Sequence, residues 1–372
     1  MNAYQICNRC VMDTTDPNIV FDEKGYCNHC TNVLKKKKEY PFCLNNDEKK
    51  KELEGIIAQI KKAGTKKYDC IVGVSGGVDS SYLIYIITKM GLKPLAVHLD
   101  NGWNSELATS NIENLCKKLD VDLFTYVINW NEFRDIQLSF LKASTPDAEI
   151  PTDHAISAIL YAIAVKYGLK YIVSGDNFNT ESILPVAWSH GHNDWKYIRE
   201  IHKRFGSVKM KTFPRSSYFK LFYYTFVKKI KIIKLLNFVD YNKDVAVQTI
   251  KNELGWKPYE GKHHESIYTK FFQSYILPKK FNFDKRKAHL SSLICSGQID
   301  RKRAIIELKK ETFLLSKLNE NKEYVSTKLG IGNSKFDDIM NAKIKTFWDY
   351  PSYENSWYYK LVRILYRFLK KK

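Results

Sequence analysis

Ser75-Gly76-Gly77-Val78-Asp79-Ser80-Ser81 packs two glycines, three hydroxyls and a carboxylate into seven residues. Such a set can wrap an anion. Glycines let backbone N–H groups approach closely, and a helix that follows adds its positive N-terminus. Ser75, Ser80 and Ser81 supply hydroxyl donors, while Asp79 offers a hard oxygen ligand suited to Mg2+. The loop follows Cys70-Ile71-Val72-Gly73-Val74, a short apolar run that reads as a buried parallel strand. Ligand sites of open α/β sheets lie at that end of a strand. Two other phosphate motifs are excluded. No GxxxxGK[ST] occurs, since Gly255 to Gly261-Lys262-His263 has one residue too many and no hydroxyl after the lysine. No GxGxxG follows a strand.

A second set of chemistry-bearing residues sits near the N-terminus. Cys7-Asn8-Arg9-Cys10 and Cys27-Asn28-His29-Cys30 are two CxxC pairs, with a separation that reads as a structural zinc site. Four thiolates close a tetrahedral shell, which implies scaffolding, and metal binding stabilises a module too small for its own core. An iron–sulfur cluster is also compatible with this spacing. Cys43, Cys70, Cys116 and Cys295 are isolated. No apolar run is long enough to span a bilayer, and the first residues lack a signal-peptide pattern, so the expected location is cytoplasmic.

The elements that must position the loop follow from periodicity. Apolar residues at helical spacing predict helices over 47–63, from Tyr82 to a cap at Gly91, and over 105–119 and 153–167. Short apolar runs predict strands at 70–74, 94–99, 123–128 and 171–174. This alternation specifies an α/β fold with a doubly wound parallel sheet. The expected divisions are a zinc-ribbon module and linker over 1–45, an ATP-binding domain over 46–185, a helical substrate- or partner-binding region over 186–330, and a basic aromatic tail over 331–372. Asp153 and His154 are expected to cap the helix they open.

A net charge of +20 suits an anionic partner, nucleic acid, an anionic membrane face or phosphorylated substrates, and equally a lysine-rich surface that serves solubility. It is concentrated in 196–236, where twelve Lys or Arg face one acid, Glu200. That segment suits a nucleotide sugar, a partner subunit, a membrane face, or a buried helix with snorkelling lysines. In the tail, Leu361, Leu365 and Leu369 repeat every fourth residue, which suits core packing, a partner or peripheral membrane contact.

The loop at 75–81 resembles the signature of the PP-loop ATP pyrophosphatases, whose fold and mostly helical C-terminal region are then expected here. Further segments resemble the N-acetyl sugar amidotransferases of that superfamily. They are Cys10–Thr15, Asp100-Asn101-Gly102-Trp103-Asn104, Pro151-Thr152-Asp153-His154, Ser174-Gly175-Asp176-Asn177 with Glu181, Gly261–Ser266, Leu277–Phe281 and Asp284–Ser291. Together they cover about residues 5 to 310.

What the resemblance implies is an ATP-dependent ligase that turns a sugar acetamido group into an acetamidino group, releasing pyrophosphate and AMP. Such enzymes serve surface polysaccharide, lipopolysaccharide or nonulosonic acid synthesis, including pseudaminic and legionaminic acids. The implied cofactors are ATP, Mg2+ and Zn2+. The implied partners are an acetamido sugar or nucleotide sugar, a glutaminase subunit that supplies ammonia, and a cyclase-like subunit. Ser75, Gly76, Gly77, Asp79, Ser80, Ser81, Asp100 and Gly175 are the expected nucleotide-binding residues, with Asp79 and Asp176 as Mg2+ ligands. Lys279, Lys280, Lys285 and Arg286 are candidates for neutralising pyrophosphate. His264 and Lys279 are candidates for the chemistry, and Asn177, Glu181, His263, Glu265, Arg286 and His289 for the sugar. The runner-up, a tRNA-thiolating enzyme, is disfavoured because no further CxxC follows the N-terminal module.

Overall fold

The computed structural model describes residues 3–259, 261, 264–311 and 315–356. Lys262, His263 and the tail at 357–372 therefore lie outside the described residues. The chain opens with the two cysteine pairs and a short helix, α1 (Asn28–Lys36), and then α2 (Asn46–Lys62), which starts on a capping box between Asn45 and Glu48. Alternation follows: β1 (Cys70–Gly73), α3 (Val78–Lys89), β2 (Pro94–Asp100), α4 (Glu106–Leu119) and β3 (Leu123–Val127). Next come α5 (Trp130–Ala143), α6 (Ile150–Lys166), β4 (Tyr171–Ser174), α7 (Phe178–Glu181), α8 (Trp195–Phe205) and α9 (Tyr218–Phe222). The fifth strand is β5 (Lys231–Lys234), and α10 (Lys243–Leu254) follows it. The remainder is helical: α11 (Ile267–Phe271), α12 (Leu277–Phe281), α13 (Arg286–Ser296), α14 (Arg301–Lys309), α15 (Leu315–Lys328) and α16 (Asn333–Asn341).

The strands form one parallel sheet in the order β3-β2-β1-β4-β5. Its alternating side chains feed two cores, as a doubly wound sheet requires. Cys70 and Val72 pack with Leu83, Ile84 and Ile250 on one face. Ile71 packs with Leu95, Ile159 and Ile172 on the other. The four expected strands are present, and the sheet does not stop at residue 185. Lys231-Ile232-Ile233-Lys234 adds an edge strand, and Ile250 of α10 returns to the core beside α3.

A third core joins the cysteine module to the helical region, with Trp103, Phe133, Phe140, Tyr197 and Phe336 all fully buried. Trp188 is also core, and Trp195 stacks on His154 and Phe213. The expected capping by Asp153 and His154 does not occur. α6 starts at Ile150, three residues earlier, so both lie inside the helix.

Candidate active site

Strand order reverses at β1, with β2 and β3 on one side and β4 and β5 on the other, and this opens a crevice above the carboxyl ends. The glycine loop turns there. Gly76 adopts φ +81°, and its carbonyl is held by the Trp256 indole N–H at 2.8 Å and the Tyr259 hydroxyl at 3.1 Å. Gly77 precedes α3 without any side-chain cap, which leaves first-turn N–H groups for an anion. Ser75 and Ser80 sit hydroxyl to hydroxyl at 3.3 Å. Asp79 Oδ1 accepts a short hydrogen bond from the Tyr241 hydroxyl. Ser81 faces the interior, its buried hydroxyl lacking a hydrogen-bond partner, so it is not placed to donate to a ligand.

The β4 loop approaches from across the crevice. A Cβ on Gly175 would lie 3.2 Å from the Asp79 carbonyl carbon and the Ser80 nitrogen, so only glycine fits without a shift. Asp176 is exposed at the cleft and pairs with Lys234 of β5 at 3.3 Å. It is not the cap of α7. Asn177 is, accepting from the Thr180 N–H at 2.9 Å. Asp100 organises its own turn, accepting from the Gly102 N–H at 2.9 Å and the Asn104 amide at 3.3 Å. Asn104 in turn donates to His98 Nε2 at 2.9 Å, because His98 Nδ1–H is committed to the Val74 carbonyl. Burial lowers the His98 pKa, which favours that neutral form.

The crevice widens into a cleft of about 2550 Å3. Sites for single small molecules run to roughly 300–1,000 Å3, so a nucleotide and a second substrate fit together. Glu265 hangs over the glycine loop, its Oε1 3.1 Å from a Cβ built on Gly77. His264, Glu181, Arg286 and His289 also line the cleft. His289 Nδ1–H donates to the Thr180 carbonyl at 3.0 Å, so Nε2 accepts from Lys243 at 3.2 Å. Arg286 is tied to Asp284 at 2.7 Å and to carbonyls at the end of α14, and so shapes the wall. Lys279 is exposed outside the cleft lining, and Lys280 is buried on the Ile339 carbonyl. Burial pushes Lys280 down to about 8. Neither is placed to meet a phosphate in the cleft.

Lys285, like Arg286, lines the cleft, and it lies 3.6 Å from Glu149 Oε2. Burial opposes its charge, yet Glu149, Asp147 and Asp153 raise its pKa. Asp153 faces the cleft and is open to it, but surrounding protein strips most of its solvation. That desolvation, with Asp147 and Glu149 beside it, pushes Asp153 up to about 8. Single motif positions give no sign of this charged cluster, because its members come from the turn before α6, α6 itself and the residue that precedes α13.

His154 stands behind this wall. Its Nδ1–H donates to the His192 carbonyl at 2.7 Å and its Nε2 accepts from the Ser216 N–H at 3.1 Å. Desolvation lowers its pKa to about 4. The folded state prefers neutral His154, so its contribution is intact above the ordinary ~6.5 and is lost as pH falls through 4. The shift corresponds to about 3 kcal/mol. The melting midpoint should therefore drop less between pH 7 and 4.5 in His154→Gln than in wild type. Equal drops would exclude this residue as the cause.

The four N-terminal thiols are buried, with all Sγ atoms within 4.8 Å of one another. Cys7–Cys30 and Cys10–Cys27 sulfurs are 3.7 and 3.6 Å apart. Tetrahedral geometry with ~2.3 Å Zn–S bonds demands ~3.8 Å. The Cys27 N–H donates to Cys7 Sγ at 3.2 Å and the Cys30 N–H to Cys27 Sγ at 3.5 Å, polarity suited to thiolates. The donor set therefore fits one tetrahedral metal ion. The module is stapled to the cleft wall. Arg301 Nε bonds the Cys10 carbonyl at 3.0 Å and the Cys7 carbonyl at 3.2 Å. The Val11 N–H donates to Ser291 at 3.2 Å, Lys37 to the Cys295 carbonyl at 3.2 Å, and Lys287 pairs with Asp13. Burial would raise the Asp13 pKa, but Lys287, Thr15 and Tyr4 hold it below the usual range.

The parallel sheet, with SGGVDS following β1 and facing the β4 loop, is the arrangement that the resemblance to the PP-loop ATP pyrophosphatases implies. Residues 265–366 match the family described as LPS biosynthesis protein WbpG-like, C-terminal domain. An uncharacterized protein of Methanocaldococcus jannaschii is 32% identical over 174 residues, which cover 45% of this chain and 58% of that protein. The tRNA(Ile)-lysidine synthase of Chlamydia pneumoniae is 32% identical over 97 residues, covering 26% of this chain and 28% of that enzyme. The chain thus spans just over half of the first relative and little more than a quarter of the second. Among solved structures, an NMN synthetase from Francisella tularensis aligns over 81% of this chain and 98% of its own, at TM-score 0.30 and 12% identity.

Proposed function

We propose that this protein is an ATP-dependent amidotransferase that converts a sugar acetamido group to an acetamidino group in lipopolysaccharide or nonulosonic acid synthesis. The observation that carries the reading is the uncapped start of α3 at Gly77, opening into a cleft with room for two substrates. The LPS-biosynthesis description of the family matched at 265–366 supports a sugar as the second substrate.

An amide carbonyl is a poor electrophile. Attack of its oxygen on the α-phosphate expels pyrophosphate, and ammonia then adds at carbon and AMP departs with the former amide oxygen. The loop N–H groups, Ser75 and Ser80 hold the phosphates, and Lys285 offsets charge building on pyrophosphate. Asp153 exchanges a proton with the incoming nitrogen. Asp79 and Asp176 would hold Mg2+, which supplies charge neutralisation. Zn2+ on Cys7, Cys10, Cys27 and Cys30 would be structural. Ammonia is scarce near neutral pH, so a glutaminase subunit, with a cyclase-like companion, would deliver it.

The test incubates the protein with ATP, ammonium and acetamido sugars. AMP, pyrophosphate and a product lighter by about 1 Da, as O becomes NH, are expected. No turnover on any sugar, with salt-sensitive tight binding of tRNA instead, would replace this reading with tRNA modification. Gly175→Ala should weaken ATP binding roughly 10–100-fold through displacement of the Asp79–Ser80 backbone. Calorimetric titration with a non-hydrolysable analogue measures it, and unchanged affinity would remove the close approach from the argument.

A further inference from the structure

The helical segment from Tyr218 to Val227 carries its apolar stripe on the wrong side for core packing. Tyr224 points inward, 5% exposed, and stacks on Tyr161 of α6 with ring centroids 5.3 Å apart. The opposite face holds Phe219, Phe222, Tyr223 and Val227 at i, i+3, i+4 and i+8, exposed by 88, 49, 42 and 60%. Helical spacing of this kind normally marks the buried face. Here it faces solvent, with Phe219 standing almost free of the protein.

Its surroundings are cationic. Lys220, Lys228, Lys229 and Lys231 rim the stripe, and the segment from 201 to 236 has no acid. The Lys228 ammonium lies over the Tyr223 ring, 5.5 Å from its centroid. Ile232 on edge strand β5, 47% exposed, extends the apolar surface between Lys231 and Lys234. Lysines on an edge strand oppose the docking of a further protein strand. Tyr353 packs edge-to-face on Tyr218 at 4.7 Å. Four residues beyond it begins 357–372, with six Lys or Arg, no acid and apolar residues every fourth position.

We infer that the 218–232 face docks this protein on an anionic lipid bilayer, its aromatic residues entering the interface and its lysines meeting lipid phosphates. The attachment is peripheral, since no described helix is long and apolar enough to cross a membrane. Leu221, Phe222 and Ile232 also line the cleft, so docking sets the cleft mouth close to the bilayer surface.

Co-sedimentation of the full chain with vesicles tests this. Binding is expected to mixed phosphatidylcholine–phosphatidylglycerol vesicles and not to phosphatidylcholine alone, and it should fall as salt rises from about 0.1 to 1 M. Phe219→Ser with Val227→Ser should reduce the partition coefficient at least about tenfold, and so should Lys228→Glu with Lys231→Glu, while melting temperatures stay at the wild-type value. Neither lysine is buried, Lys231 being exposed and Lys228 half-buried, so this pair keeps the test valid if the apolar pair folds poorly. Absence of wild-type binding overturns the inference. So does binding that survives both pairs and is lost only on removal of 357–372. Intact vesicle binding with loss of a complex to a soluble subunit would make the face a protein interface instead.

Discussion

Asp79→Asn is expected to lower ATP-dependent pyrophosphate release by about 10²–10³-fold, the range seen when one preorganised charge-stabilising group is lost. Asparagine is the informative substitution. The Tyr241 hydroxyl is largely buried and donates to Asp79 Oδ1. Alanine would leave that donor unpaired, at about 1–3 kcal/mol, and confuse stability with catalysis. The asparagine carbonyl still accepts the hydrogen bond, so only the negative charge disappears. Melting temperature and metal content should stay at wild-type levels, and nucleotide should still bind without Mg2+. The Mg2+ dependence of binding should weaken. Near-normal turnover would remove Asp79 from the site.

Removing the metal ion that the four N-terminal cysteines would hold is expected to have the second large effect. Cys10→Ser, or chelation, should release one equivalent of zinc and expose the faces of α13 and α14 that the module covers. Structural zinc contributes binding free energies of order 10–16 kcal/mol in small modules. Forfeiting even a few kcal/mol, at roughly 2–4 °C each for a mid-sized domain, lowers the melting midpoint by on the order of 10 °C. Because α13 begins beside Lys285 and carries His289, hydrogen exchange should quicken along 286–296 as well as around the cysteines. Acceleration confined to residues 1–36 would mean that the ribbon does not brace the cleft.

Legibility in the sequence tracked how local each cause was. β1, β2 and β4 are apolar runs bounded by turn residues, so their places were plain. The glycine loop and the paired cysteines carry their chemistry within a few residues. β5 escaped because Lys231-Ile232-Ile233-Lys234 has two apolar residues between lysines, the composition of an exposed edge. α5 was not foreseen either, although Phe133, Ile136 and Phe140 repeat at helical spacing. In the sequence, the clustered lysines at 279, 280 and 285 look equivalent. The turn after α12, with Asn282 at φ +58°, separates them, and only Lys285 reaches the carboxylates. Tyr241, Trp256 and Tyr259 meet the glycine loop across more than 160 residues, a contact no local pattern encodes.

The bonds from Arg301 to the Cys7 and Cys10 carbonyls also order events on the ribosome. They join residues 294 and 291 positions apart. At about 5–20 residues per second, roughly 15–60 s pass between emergence of the cysteines and synthesis of the arginine that covers them. Throughout that interval the thiols face the cell without their lid. Capture of a metal ion by the four cysteines in that interval would guard the nascent chain against oxidation.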